Sequence, residues 1–265
     1  MLIYKGGEIM PFNKNISGFE NEREFYEYLN RKKVKEVNPI FRDLFETLYG
    51  SLIGEEVVYV TINYTKQKSD IYIKINEVTK GISIKKGVKN SVHIERIAEF
   101  IKFLKKQSIP QNIIDEVLKY HYADGTIDGT GKHRKSSAEY KEKHQDKLDL
   151  INKYFSKETI VKSAIDRFVL TGNNSNDSID AIIYGVIYDF IWITKDEIID
   201  IIMEHKDIQR NGVSFGPLFY QPMNRCLNYN PKYEYARNYI QIKWYHLSDD
   251  IIEFMGKRHF NNFKQ

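Results

Sequence analysis

Ser69-Asp70-Ile71-Tyr72-Ile73-Lys74, followed closely by Ile82-Ser83-Ile84-Lys85-Lys86, is the stretch whose reading decides the fold. Ile71, Ile73 and Ile75 alternate with polar residues, the period of a half-buried strand, and Asp70 stands at its start. Gly81 to Lys86 form a second short run of the same kind, with Lys85 projecting from it. Upstream, Val57-Val58-Tyr59-Val60-Thr61-Ile62-Asn63-Tyr64 is β-branched and aromatic, a strand by composition. Three strands joined by short polar turns are expected to form an antiparallel meander.

Helices are expected on either side. Ile40, Leu44, Phe45 and Leu48 fall at helical spacing after Asn38-Pro39, and Gly50 suits the helix end. An earlier helix is read over Glu20 to Lys35. After the third strand, Asn90 or Ser91 is read as the cap of a helix reaching Lys106, with Val92, Ile94, Ile97, Ala98, Ile101 and Leu104 on its apolar face. The expected fold class is α/β of the α+β kind, with a mixed central sheet flanked by helices and a C-terminal α+β extension.

Four segments are expected: an N-terminal helical segment 1–37, a core 38–122, a glycine-rich loop with a charged helix 123–155, and a C-terminal α+β region 156–265 that completes the sheet. In the last of these, Ile179 to Ile193 read as buried strands. Thr194-Lys195-Asp196-Glu197 reads as a capping box, and Tyr239-Ile240-Gln241-Ile242-Lys243-Trp244 as a period-2 strand.

Composition bounds the function. The chain has 265 residues, enough for a sizeable core, and 40 Lys+Arg against 36 Asp+Glu, too even a balance to prove an anionic partner. The single cysteine, Cys226, excludes an intrachain disulfide and a cysteine-rich zinc site. The apolar run in Met1 to Gly7 is too short for a signal peptide and no later one is long enough to span a bilayer, so a cytoplasmic protein without a membrane partner is expected. The Asp124–Gly131 loop lacks a following Gly-Lys-Ser/Thr and matches no Walker fingerprint. His121, His133 and His144 are too scattered to suggest a metal site.

The order of helix and meander, with Asp70 and then Ser83-Ile84-Lys85, resembles the core of PD-(D/E)XK, or restriction-endonuclease-like, nucleases over about residues 40–106. Ser69 stands where that family often has proline, and Ser83 where it has its second acid. Some relatives with serine there recruit a glutamate from the following helix. Glu99, fourteen residues after Lys85, has nearly the spacing of such swapped sites, with Glu95 one turn earlier.

The resemblance implies Mg2+ held by Asp70, the Ile84 carbonyl and Glu99 or Glu95, with Lys85 on the attacking water and Glu46 assisting from the preceding helix. It implies double-stranded DNA as substrate, a type II restriction enzyme, and a homodimer. The alternatives are a non-catalytic nucleic-acid-binding or phage-defence protein, Ser83 marking a lost acid, and a ribonuclease. Candidate contacts to nucleic acid are Lys86, Lys89 and His93 around the turn, Lys132, Arg134 and Lys135 beside the glycine loop, and Asn224, Arg225, Arg237, Gln241 and Lys243 in the tyrosine-rich last third.

Overall fold

The computed structural model describes residues 18–65, 67–88, 90–173, 177–208, 212–223 and 231–262. The fold is α+β, with eight α-helices and two sheets among the described residues. The chain divides into two compact units, residues 1–87 with 179–194, and residues 88–178 with 195–265. This division cuts through the expected 38–122 segment. The third strand is followed by a departure into the second unit, and the chain returns to the first only at residue 179.

The first unit is built on a five-stranded mixed sheet. Strands β1 (Val58–Ile62), β2 (Ile71–Ile75) and β3 (Val78–Lys85) form an antiparallel meander. Strand β5 (Ala181–Val186) pairs parallel to β3, with Ile82 opposite Ala181 and Lys85 opposite Tyr184. Strand β6 (Asp189–Thr194) closes the sheet as a hairpin with β5. Burial along β1 and β2 alternates, as the period-2 pattern requires.

Two helices belong to this sheet. Helix α1 (Gly18–Leu29) buries Asn21, Phe25 and Leu29, one stripe at four-residue spacing. It is shorter than expected: Arg31 adopts a left-handed φ of 68°, and the chain continues as a 3₁₀ turn at Val34–Glu36. Helix α2 (Pro39–Tyr49) begins with Asn38, whose side chain accepts the Phe41 N–H, and ends at Gly50. Phe25, Phe41 and Phe190 meet with ring centroids 4.6–5.9 Å apart over the fully buried Val58, Ile71 and Ile82.

The second unit carries a four-stranded antiparallel sheet. Strand β4 (Asn90–Arg96) takes the place of the helix turn expected from Asn90, and α3 begins only at Ile97 and runs to Lys106. The apolar positions Val92, Ile94 and Ile97 fit a helix and a bulged strand alike. Pairing with β9 (Tyr239–Trp244) across almost the whole strand decides it. Strands β7 (Val213–Phe215) and β8 (Leu218–Pro222) form a hairpin, and β8 pairs with β9.

Helices α4 (Gln111–Tyr122), α5 (Ser137–Phe155), α6 (Glu158–Ala164), α7 (Lys195–Glu204) and α8 (Leu247–Asn262) complete this unit. The last turn of α6 widens into a π-helical stretch, Ile165–Thr171. The core is aromatic: Phe155 stacks on Phe215 at 4.2 Å, and Phe100, Phe103 and Phe168 surround them. No helix among the described residues is long and apolar enough to cross a membrane.

Candidate active site

The site begins with the register of β2 against β3. Ile71 lies opposite Ile82, which brings Asp70, one step before the strand, alongside Ser83. The backbone of Asp70 is held on both sides: its N–H donates to the Ile82 carbonyl at 2.9 Å, and its carbonyl accepts from the Asn63 N–H at 3.0 Å. Strand alternation then points Ser83 and Lys85 to the same face of β3.

Three donors converge on a single oxygen. Asp70 Oδ2 accepts from Ser83 Oγ at 2.9 Å, the Ile84 N–H at 2.6 Å and Lys85 Nζ at 3.0 Å. Lys85 Nζ also donates to the Ile84 carbonyl at 3.2 Å. None of these donors takes Oδ1. Ser83 is buried, and Asp70 and Lys85 are mostly so.

A second acid comes from α1. Burial, and then the charge of Asp70, push the Glu22 carboxyl up to about 7, with Lys85 partly offsetting them. Helix α1 is pinned to the sheet beside this residue, because the buried Asn21 side chain donates to the Gly185 carbonyl at 3.1 Å. The sequence reading missed Glu22, although an acid bordering the Asn21–Phe25–Leu29 stripe was the available signal. Glu46, the helix acid expected to assist, lies exposed on α2. The helix acid that feels Asp70 and Lys85 is Glu22.

The two glutamates expected to complete the site are occupied in the second unit. Glu95 is on β4 rather than on a helix, its side chain fully buried; Arg167 binds its Oε2 at 2.5 Å, and His93 Nε2 lies 3.4 Å from the same atom. Glu99 is in the first turn of α3 and pairs with Lys102 at 2.7 Å, which holds its carboxyl below the ordinary range. The two do not share a helix face.

Other expected contacts also have structural duties. The His93 ring packs on Phe168 at 5.3 Å, and its side chain is nearly buried, so it is a core histidine. Arg134 is buried and caps α4: its guanidinium donates to the carbonyls of His121 and Tyr122, which the helix end leaves without partners. Arg237 pairs with Asp124 at 2.7 Å and Glu234 at 2.9 Å and also donates to the Gly131 carbonyl. Both arginines are thus committed to partners within the chain. His121 is equally committed. A carbonyl only accepts, so Nε2–H donates to the Arg237 carbonyl at 2.8 Å, and Nδ1 shares a hydrogen bond of 2.7 Å with the Tyr220 hydroxyl.

The glycine loop is held by its own contacts. Asp124 Oδ1 accepts both the N–H and the hydroxyl of Thr126. A Cβ on Gly129, where φ is +79°, would lie 2.5 Å from the Tyr122 ring, and one on Gly131 would overlap the Asp124 carbonyl.

Gln241 and Lys243 alternate with buried Ile240, Ile242 and Trp244 on β9 and so share its half-exposed face. Lys132 is exposed, and Lys86 and Lys135 are half-exposed. Lys89, Asn224 and Arg225 lie outside the described residues. In comparisons with known proteins, no family model and no curated protein matches this chain.

Proposed function

We propose that the first unit is the catalytic core of a metal-dependent endonuclease of the PD-(D/E)XK type, and that the chain hydrolyses phosphodiester bonds in double-stranded DNA as a restriction enzyme does. The observation that carries this reading is the convergence of Ser83, Ile84 and Lys85 on one oxygen of Asp70, beside a second carboxyl from Glu22. The mixed sheet, a meander extended by the parallel pairing of β5 with β3, is compatible with that reading.

The donor set suits Mg2+, which takes oxygen ligands, keeps several waters and needs only one or two carboxylates from the protein. Glu22, Asp70 through Oδ1, and the Ile84 carbonyl would hold it. Burial chiefly, and then the charge of Asp70, hold the Glu22 carboxyl up at about 7, which a bound cation would bring down. When bound, the ion supplies positive charge to the phosphoryl oxygens and acidifies a coordinated water.

The side chains supply the rest. Lys85, paired with Asp70, is an ammonium donor; it would orient the attacking water and offset negative charge developing on the phosphate. The Ser83 hydroxyl and the Ile84 N–H keep the Asp70 carboxylate fixed during the reaction. Glu22 would replace the missing acid at position 83, in place of Glu95 or Glu99. The described residues hold one such site, so cutting both strands at once would take a homodimer.

Incubation of the full chain with mixed duplex DNA in Mg2+ and in EDTA tests this directly, with structured RNA as the parallel substrate. Mg2+-dependent cutting of duplex DNA is expected. A second reading has one observation behind it: Ser83 replaces the family's acid and is satisfied by Asp70, which would suit a nucleic-acid-binding protein without catalysis. Binding of duplex DNA without cleavage in any divalent metal would select it.

A further inference from the structure

Two large aromatic side chains of the first unit stand in solvent. Phe19, in the first turn of α1, is 52 % exposed, and Tyr64, just past the end of β1, is 75 % exposed. Their rings lie 6.0 Å apart and tilted by 49°, so each covers little of the other. One exposed ring is ordinary on a protein surface. Two brought together from separate elements form an apolar patch, and such a patch marks a place where something binds.

Both rings are tied to the candidate active site. Phe19 stands three residues before Glu22, one turn away on the same side of the helix, and Glu22 is the carboxyl that feels Asp70 and Lys85. Tyr64 follows Asn63, whose N–H donates to the Asp70 carbonyl at 3.0 Å. The Asn63 side chain then locks the turn. Its Nδ2 donates to the Ser69 carbonyl at 2.7 Å, and its Oδ1 accepts the Thr65 N–H at 2.9 Å and the Thr65 hydroxyl at 2.7 Å. The backbone beside Tyr64 is thus fixed while the ring is offered to solvent. A preformed surface of this kind binds a flat ligand at little ordering cost.

We propose that Phe19 and Tyr64 form a stacking site for one unstacked nucleobase of the strand whose phosphate meets Asp70, Lys85 and Glu22. The proposal takes the strand from the nuclease reading and adds how its base is held. Every base has a π-face, so stacking on Tyr or Phe tolerates any sequence. A base inside a duplex is already stacked on both sides. The one held here therefore belongs to a single strand or has been drawn out of the helix.

Fluorescence anisotropy of the full chain in Ca2+ tests the site with two probes, a mixed-sequence single-stranded DNA and an abasic strand of equal length and charge. Wild type should bind the base-bearing strand at least about fivefold more tightly. Tyr64→Ala and Phe19→Ala should each weaken its binding by about five- to a hundredfold and leave the abasic strand unchanged. Tyr64→Phe, which keeps the ring, should bind as wild type does. Both residues are exposed, so the fold should survive these changes, as a thermal melt would verify.

Equal affinity of wild type for the two strands, no binding of either, or alanine variants that bind like wild type would overturn the stacking site. So would a loss in Tyr64→Phe as large as in Tyr64→Ala, because the hydroxyl would then be the contact. Cleavage of duplex DNA in Mg2+ by the same preparations reads the nuclease proposal separately. Base-dependent binding without cleavage supports the stacking site and counts against the nuclease alone, and cleavage without base-dependent binding does the reverse.

Discussion

Lys85 Nζ and Asp70 Oδ2 lie 3.0 Å apart on neighbouring strands, with side chains 19 % and 24 % exposed. An ion pair this far out of water is costly to form unless its remaining hydrogen-bonding groups are satisfied. Here they are, by Ser83, by the Ile84 N–H and by the Ile84 carbonyl. The sheet thus holds an ammonium and a carboxylate in fixed positions, with three donors on one carboxylate oxygen.

Glu22 makes the site sensitive to pH. Its carboxyl is raised from 4.5 to about 7, so between those values the folded chain holds a proton that the unfolded chain releases. Stability from this group is fully present below about pH 4.5, declines as pH rises, and is lost above about 7. Glu22→Gln should therefore be increasingly more stable than wild type across that window and retain its advantage at about pH 8. Urea unfolding curves at several pH values check this; equal pH dependence in the two proteins would contradict it. Mg2+ should raise the thermal midpoint of wild type at high pH and leave Glu22→Gln nearly unmoved.

Asp70→Asn keeps the shape but removes the charge. The amide group can still accept through its oxygen, yet Lys85 loses its counter-ion and the cation a full negative ligand. Cleavage in Mg2+ should fall by about a hundredfold or more, while duplex DNA binding measured in Ca2+ should persist. Loss of binding in a folded variant would place Asp70 in recognition instead.

Glu95 and Arg167 form a pair whose carboxylate is fully buried. Replacing Arg167 with Met strands that charge, which typically costs about 3–5 kcal/mol. The double variant Glu95→Gln with Arg167→Met should recover much of the loss. Denaturant melts of the single and double variants decide it, and a single variant as stable as wild type would show that the pair is not structural.

Gly131→Ala forces a methyl group into the Asp124 carbonyl, and the loop must shift. A destabilisation of about 1–3 kcal/mol is expected, with weakening of the Asp124–Arg237 pair. Calorimetry of the variant tests it; an unchanged melting temperature would mean that the loop is not held as described.

The meander and the acid–lysine register were legible because period-2 alternation runs through Ile71–Ile75 and the turns are short. Residues 90–96 were not, since Val92, Ile94 and Ile97 satisfy both periods and the deciding partner, β9, lies far along the chain. The region 156–265 was read as completing the sheet, and β5 does so; which strand it joins was not legible, because β3 lies about a hundred residues back along the chain. Arg134 and Arg237 read as basic surface because sequence does not tell which carbonyls and carboxylates will meet a guanidinium. Glu22 was hidden for a similar reason: its importance comes from what α1 packs against, not from its neighbours in sequence.

The central claim, that Asp70, Lys85 and Glu22 form a hydrolytic site, is tested most directly by the single-turnover rate of duplex DNA cleavage in Mg2+ for wild type and Lys85→Ala. The account predicts Mg2+-dependent cleavage by wild type and a loss of at least about a hundredfold in the variant, with thermal unfolding still cooperative. Equal rates in the two proteins, or no cleavage by wild type in any divalent metal, would contradict it.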